Sequence, residues 1–262
     1  MKNILRNSGF ISPTYNIISR ALPLLSGIML FVVFWHYASV QVDKPYLPRP
    51  HEVFASIVEE MQDDLLDNTL ISTYRVIISI TIGVAIAAPL AILAAQFRLL
   101  DKFLTPLIYF AYPAPKVVFL PLIISFLGLG DASRIFLITL IIFFQVFVII
   151  RDAAGQIPVE TIESISSLGA GHWHILRYVY IPVSIPAIMT ALKISAGTAI
   201  AVLFITETIA GNTGLGYYIV NEWSIFSYDT MFAGIIAMSM LGLGLFSVFA
   251  TLEHILTRWQ RR

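Results

Sequence analysis

Two lysines, Lys116 and Lys193, stand inside stretches otherwise too apolar to carry charge, where a cation either draws an anion or holds carbonyl groups. Five histidines are the other residues with chemistry to offer. His172 and His174 are two apart and point to different helix faces, while His36, His51 and His254 sit on separate segments and no H-E-x-x-H spacing occurs. No metal site and no catalytic set is expected. The chain has no cysteine, which excludes a thiolate nucleophile, a disulfide and iron–sulfur ligation. It also has no G-x-x-x-x-G-K-[ST] pattern. Residues 211–218, GNTGLGYY, supply glycines but no lysine to reach a phosphate, so the chain is not expected to hydrolyse ATP or to act as an enzyme.

The elements that must carry these residues follow from composition. Over 262 residues the chain is 58% hydrophobic and 12% charged, with a mean hydropathy of +0.83, whereas soluble domains carry roughly 25% charge. These values describe an integral membrane protein. The zero net charge offers no basic face for nucleic acid. A bilayer core of about 30 Å needs about 20 helical residues, and its lack of water favours helices that satisfy their own backbone. Six runs qualify: 21–40, 70–97, 103–128, 135–150, 183–206 and 231–252. The fold class is therefore all-α, one six-span membrane domain over residues 21–252, without repeats or a soluble domain. Lys2, Arg6 and Arg20 precede the first run, whose length of about 20 residues suits a retained signal anchor better than a cleaved peptide. Pro106, Pro113, Pro115 and Pro121 interrupt the third run, which is expected to break near Pro113 to Pro115.

Basic residues set the orientation. With the N-terminus in the cytoplasm, Lys2, Arg6, Arg20, Arg98, Lys102, Arg151, Arg177, Arg258, Arg261 and Arg262 lie inside, and only Lys44, Arg49 and Arg134 lie outside. This gives a cytoplasmic tail at 1–20, an outer loop at 41–69, a large cytoplasmic loop at 152–182 between spans four and five, and a cytoplasmic tail at 253–262. The outer loop is acidic through Asp43, Glu52, Glu59, Glu60, Asp63, Asp64 and Asp67. A partner with basic patches and a plain solvated amphipathic helix account for it equally well.

Three charges fall within spans. Arg75 is about five residues from the outer end of its run, close enough to snorkel to the headgroups. Lys116 and Lys193 are roughly midway, where a cation must face the bundle interior or a wet cavity. On one reading Lys116 bonds carbonyls freed by the prolines and Lys193 reaches Ser195 or Thr190. On the other the pair lines a translocation path and attracts an anion.

The 152–182 loop is the most patterned segment. Pro158 suits a first helical position, Glu160 and Glu163 complement the start of a helix dipole, and Gly169 offers a left-handed stop. Ile162, Ile165 and Leu168 recur at spacings of three, which predicts an apolar stripe on a helix of about ten residues. A second short helix, HWHILRYVY, is expected before Pro182. A helix that merely rests on headgroups favours Lys and Arg on its polar face. Here that face is Glu, Ser and Thr, which fits docking onto protein.

The loop also resembles a known family. Glu163, then Gly169 six residues on, then Val179, Ile181 and Pro182 at ten, twelve and thirteen beyond the glycine, is similar to the cytoplasmic EAA loop of permease subunits of ABC importers. Ser164 and Ile165 stand where that pattern has alanines. The stretches TYRVIISITIGVAIAAPLAILAAQFRLLDKFLTPLI, PAPKVVFLPLIISFLGLGD and ETIAGNTGLGYYIV resemble the nitrate, sulfonate and taurine group of these importers, and the likeness covers about residues 66–258. The resemblance implies an inner-membrane permease of which two copies pair. Each presents its coupling loop to a cytoplasmic ATP-binding cassette ATPase dimer, which binds the ATP and magnesium, while an outer binding protein delivers a small solute, anionic or vitamin-like. The loop residues that would carry coupling are Glu160, Ile162, Glu163, Ile165, Leu168, Gly169 and Pro182. A proton-coupled secondary transporter is the competing class, but such proteins carry carboxylates deep in their spans. Glu207 near the outer end of span five is the nearest approach to one.

Overall fold

The structure, a computed structural model, describes residues 13–261, and those residues form helices joined by short turns, with no strand among them. Among the described residues, five stretches are long and apolar enough to cross a membrane, and a sixth forms if one bent pair is taken as a span. They are Leu25–Val42 within α1 (Pro13–Val42), α3 (Asp64–Gln96), α6 (Asp131–Gly155), the run from α8 (His172–Ile175) to Ile209 of α9 (Ile181–Ala210), and α11 (Tyr228–Leu256). The bent pair is α4 (Arg98–Ala111) and the 116–127 segment that ends in α5 (Leu120–Leu127). Its two halves meet at 83°. The break falls where the prolines put it, at residues 112–115. The short helices α2 (Pro50–Glu60) and α10 (Leu215–Ser224) lie at one end of the bundle, and α7 (Val159–Ser167) lies at the other.

The centre is the packing of α3 against α6. Ser79, Gly83, Ala87 and Ala91 recur every four residues on α3, and all are buried. They face Ile138, Ile142, Val146 and Ile150, also spaced by four and fully buried on α6. A side chain at Gly83 would meet Ile142 Cγ2 at 2.9 Å. Small residues on one helix and branched ones on the other let backbones approach closely, and in lipid this packing must supply association that water would otherwise drive. Helix α9 completes the core through Ala191, Ala196, Ala199 and Leu203. A second, smaller core joins Leu65 to Leu215, Tyr218, Ile219, Ala233 and Met238 at the α10 end.

Helix α1 is the least embedded. Leu25, Met29, Leu30, Phe31 and Phe34 are exposed, and its fixed points are the Trp35 ring stacked on Phe232 at 5.8 Å and Trp35 Nε1 donating to the Pro48 carbonyl at 3.1 Å. Several expected boundaries shift. Residues 1–12 of the expected 1–20 tail lie outside the described residues, but Pro13 already starts α1. Helix α11 runs on to Leu256, so the expected 253–262 tail begins as helix. The acidic 41–69 loop is mostly ordered: α2 starts with Pro50 at its first position, and the Glu52 carboxylate accepts from the Arg49 N–H at 2.7 Å. Val53 is fully buried beneath it, and Ser56 donates to Asp229 of α11 at 3.1 Å.

The expected second loop helix, HWHILRYVY, leads into the fifth span, and it does so without a break. Helix α8 passes through a π-helical turn at 176–180 into α9, and the Ile181 N–H bonds the Leu176 carbonyl. Pro182 cannot donate to the preceding turn, and its ring crowds that turn's carbonyl. Widening to π geometry absorbs both effects without ending the helix.

Candidate functional site

At the α7 end of the bundle, Pro158 stands just before the helix with extended backbone, one position earlier than expected. The helix stops in a Schellman motif. Gly169 takes φ +87°, its N–H bonds the Ser166 carbonyl at 2.9 Å, and the Ala170 N–H bonds the Ile165 carbonyl at 3.4 Å. The expected stripe divides. Ile162 and Ile165 are half-buried against the chain's own core, whereas Leu168 is 87% exposed. Residues three apart step back about 60° per repeat on a helix, so the third member has left the face of the first. Ile162 and Ile165 therefore anchor α7 to the bundle. The free face carries Glu160, Glu163 and Leu168, with Val159 at its start. Ser164 and Ser167 on that face donate back to the carbonyls of Glu160 and Glu163.

Two exposed rings follow α7 in the chain, Trp173 of α8 and Tyr178 of the π turn. Neither was singled out from the sequence, although a tryptophan in a polar loop was the available signal. Gln96 Nε2 donates to the His172 carbonyl at 2.7 Å, and the Phe97 and His172 rings lie 5.9 Å apart, so α8 is pinned to the end of α3. Pro182 sits in the first turn of α9 and is half-buried, behind the exposed face rather than on it.

The two lysines differ. Lys116 is buried, and its Nζ donates to the carbonyls of Ala111, Tyr112 and Ala114 at 2.9, 2.8 and 3.3 Å, while lying 4.4 Å over the Phe144 ring. An ammonium has three donors, and here all three serve the frayed end of α4. Lys193 reaches neither Thr190 nor Ser195. It pairs with Glu253 of α11 at 2.6 Å, and the Ser195 hydroxyl is buried without a hydrogen-bond partner. The partner was not foreseen because α11 extends past the expected span and keeps Glu253 on a helix beside α9. The two lysines lie on different helices with separate partners.

Arg75 overturns the snorkelling expectation. Its side chain is 2% exposed, with Nη1 2.7 Å from Glu207 Oε1, Nη2 2.7 Å from Asp131 and a further bond to the Thr213 carbonyl at 2.9 Å. Glu207 is fully buried and accepts from Ser72 Oγ and from the Gly216 N–H at 2.9 Å. Gly214, at φ +103°, carries the 211–214 turn over the pair, where any side chain would strike Glu207 Oε1 at 2.2 Å. Arg75 turns inward because buried carboxylates compensate its charge, which an isolated lipid-facing arginine lacks. The cluster ties α3, α6, α9 and the turn before α10 together at the end opposite α7.

At the α7 end of the bundle, Arg151 of α6 grips Asp101 of α4 through Nε at 2.9 Å and Nη2 at 2.7 Å. Asp152 accepts from Tyr109. Among the described residues no group of three or more metal-ligating side chains occurs.

A family model described as a binding-protein-dependent transport system inner membrane component matches residues 87–261. A putative ABC transporter permease of Methanocaldococcus jannaschii is 33% identical over 221 residues, covering 82% of this chain and 83% of its own length. The taurine transport system permease of Escherichia coli is 28% identical over 251 residues, covering 92% of this chain and 91% of its own. Among solved structures, an inward-facing methionine ABC transporter matches with a TM-score of 0.64 at 18% identity, over 76% of this chain and 98% of that one. The fold is shared with that permease.

Proposed function

The chain belongs to the family of binding-protein-dependent transport system inner membrane components, and from that premise we propose that it forms half of the translocation path of an importer driven by a separate ATPase. Within the family it stands with the permeases of the nitrate, sulfonate and taurine group of type I ABC importers. In the proposed assembly two copies pair in the inner membrane with both termini in the cytoplasm. The α7 end meets the ATPase dimer, and the α2 and α10 end receives a binding protein loaded with a small anionic or vitamin-like solute.

The observation that carries this reading is the exposed face of α7 and α8. A short helix, fixed from behind by Ile162 and Ile165 and stopped by Gly169, holds Leu168 out beside Glu160 and Glu163, and Trp173 is exposed in the helix that follows. Large apolar side chains held open beside charge are the composition of a docking surface. This refines the coupling residues: contact falls to Glu160, Glu163 and Leu168, and support to Ile162, Ile165, Gly169 and Pro182. Closing of the ATPase dimer on ATP would then move the spans attached to the loop, because ATP favours one of two states of the assembly. The proton-coupled alternative is less well supported. Glu207 already accepts from Arg75, Ser72 and the Gly216 amide, which leaves a moving proton little access.

Copurification of the permease with a coexpressed ATP-binding cassette ATPase subunit tests the proposal. Leu168→Glu with Trp173→Ala is expected to abolish the association while the permease still inserts. Normal association and normal substrate-stimulated ATP hydrolysis in that variant would refute the docking face.

A further inference from the structure

The crevice between α1 and α11 changes character along its length. Its deeper part is an apolar slot of about 440 Å³ walled by Phe31, Phe34, Trp35, Phe232, Ile235 and Ile236. One turn nearer the α2 end, and sharing Leu47 with the slot, lies a polar chamber of about 510 Å³ lined by Asp43, Lys44, Arg49, Glu52 and Asp229. The two stack in register, since residue numbers rise along α1 toward the chamber and fall along α11 in the same direction. Trp35 stands at the junction, its ring on Phe232 and its Nε1 on the Pro48 carbonyl. An apolar slot beneath a charged chamber, at the end of a membrane span, has the shape and polarity of an amphiphile.

The backbone supplies an independent observation. Among the described residues only two non-glycine residues have positive φ, Asp43 at 42° and Phe226 at 63°, and both line this chamber. Such conformations are costly and gather at ligand clamps, where surrounding structure enforces them. The charges then select the headgroup. Lys44 and Arg49 suit a phosphate, while Asp43, Glu52 and Asp229 suit a cation next to it. Arg49 and Asp43 are only loosely paired, at 3.8 Å with both side chains largely exposed, so each has capacity to spare. A headgroup of net negative charge would meet three carboxylates against two bases. A quaternary ammonium has no N–H to donate to them.

We infer that this crevice is a binding site for a zwitterionic phospholipid bearing a primary ammonium, one acyl chain lying in the aromatic slot. The lipid fills the space between α1 and the bundle, and so fastens a helix that otherwise rests on few contacts. The site is separate from the α7 face and needs neither ATPase nor solute.

The test uses the full-length chain purified in detergent, stripped of lipid and offered phosphatidylethanolamine, phosphatidylcholine or phosphatidylglycerol of the same acyl composition, with bound lipid counted by native mass spectrometry. Phosphatidylethanolamine is expected to be retained about tenfold better than either of the others, the effect of one charge-assisted contact. Lys44→Gln with Arg49→Gln is expected to erase that preference. Ser239→Trp, which fills the slot, is expected to remove the retained lipid. Because a bulky substitution can disturb folding, Phe34→Ala is the second variant, and its wider slot should retain lipid more weakly while keeping the headgroup order. Equal retention of all three lipids by the wild type, or unchanged retention after Ser239→Trp, would mean an ordinary surface layer of lipid and overturn the site.

Discussion

Arg75 Nη1 and Glu207 Oε1 lie 2.7 Å apart, in side chains that are 2% and 0% exposed, and they come from residues 132 positions apart in the chain. Removing one member of a buried pair leaves the other uncompensated, which costs about 3–5 kcal/mol. Arg75→Gln leaves the buried Glu207 without its ion-pair partner and is expected to lower the thermal unfolding temperature of the detergent-purified chain sharply, whereas Glu207→Gln is expected to lower it less, because Arg75 keeps its pairing with Asp131. The double variant Arg75→Met, Glu207→Met is expected to recover part of the loss, since it leaves no lone charge. A double variant as unstable as the sum of the singles would show that the two groups act separately.

Lys116→Met leaves three carbonyls at the end of α4 without their donor, and a net loss of about 2–3 kcal/mol is expected. Lys116→Arg keeps donors and should retain most of the stability. If the lysine instead serves an anion path, Lys116→Met would leave unfolding unchanged and alter the salt dependence of transport. Comparing unfolding with transport across salt concentrations separates the two roles.

The divided α7 stripe predicts two classes of variant. Ile162→Ala and Ile165→Ala, half-buried against the core, should each lower stability by about 1–2 kcal/mol. Leu168→Ala should leave stability nearly unchanged and weaken copurification with the ATPase subunit. Gly169→Val must hold a β-branched residue at φ +87°, a strain of about 1–3 kcal/mol, and is expected to uncouple substrate-stimulated hydrolysis.

Single cysteines at Asp63 and Asn212 are expected to react with an impermeant thiol reagent from outside the cell, and one at Gly171 is not. Asp63 precedes α3 and Asn212 lies in the turn before α10, while Gly171 precedes α8 at the opposite end. The reverse labelling would leave the α7 face on the wrong side of the membrane for an ATPase.

Glu60 of α2 accepts from the Tyr218 hydroxyl at 3.1 Å, and burial, with nearby Glu222 and acids of its own segment, raises its pKa above 4.5. The folded chain thus holds this proton more tightly than the unfolded chain. That contribution to stability is complete below the ordinary carboxylate value and is lost as pH rises through the raised one. Glu60→Gln should flatten the pH dependence of unfolding just above the ordinary carboxylate range. An unchanged profile would assign that dependence to other groups.

What the sequence made legible was local. Apolar runs of the right length marked the spans, Pro113 and Pro115 marked the break, and Pro158 and Gly169 bracketed α7, because each acts through backbone geometry within a turn or two. Contacts between distant segments were not legible. Arg75 looked like a headgroup-seeking side chain because nothing near it in sequence could neutralise it, and Glu207 and Asp131 arrive only through folding. Lys193 likewise finds Glu253 sixty residues away. The facing of α7 was misread because a spacing of three drifts around a helix, and only the neighbouring core decides which members stay inside.

The continuous helical run from His172 to Ile209 is 38 residues, or about 57 Å at 1.5 Å per residue. One end bears Trp173, and the other lies two residues past Glu207. For a rigid rod of that length, a tilt of about 5° around its midpoint displaces each end by about 2.5 Å in opposite directions. The Glu207 contacts are 2.7–2.9 Å long, so a swing of that size is enough to sever them unless the 211–214 turn and the start of α10 travel with the rod. Push and response would then be set by one angle, with the π turn at 176–180 as the compliant section nearest the applied force.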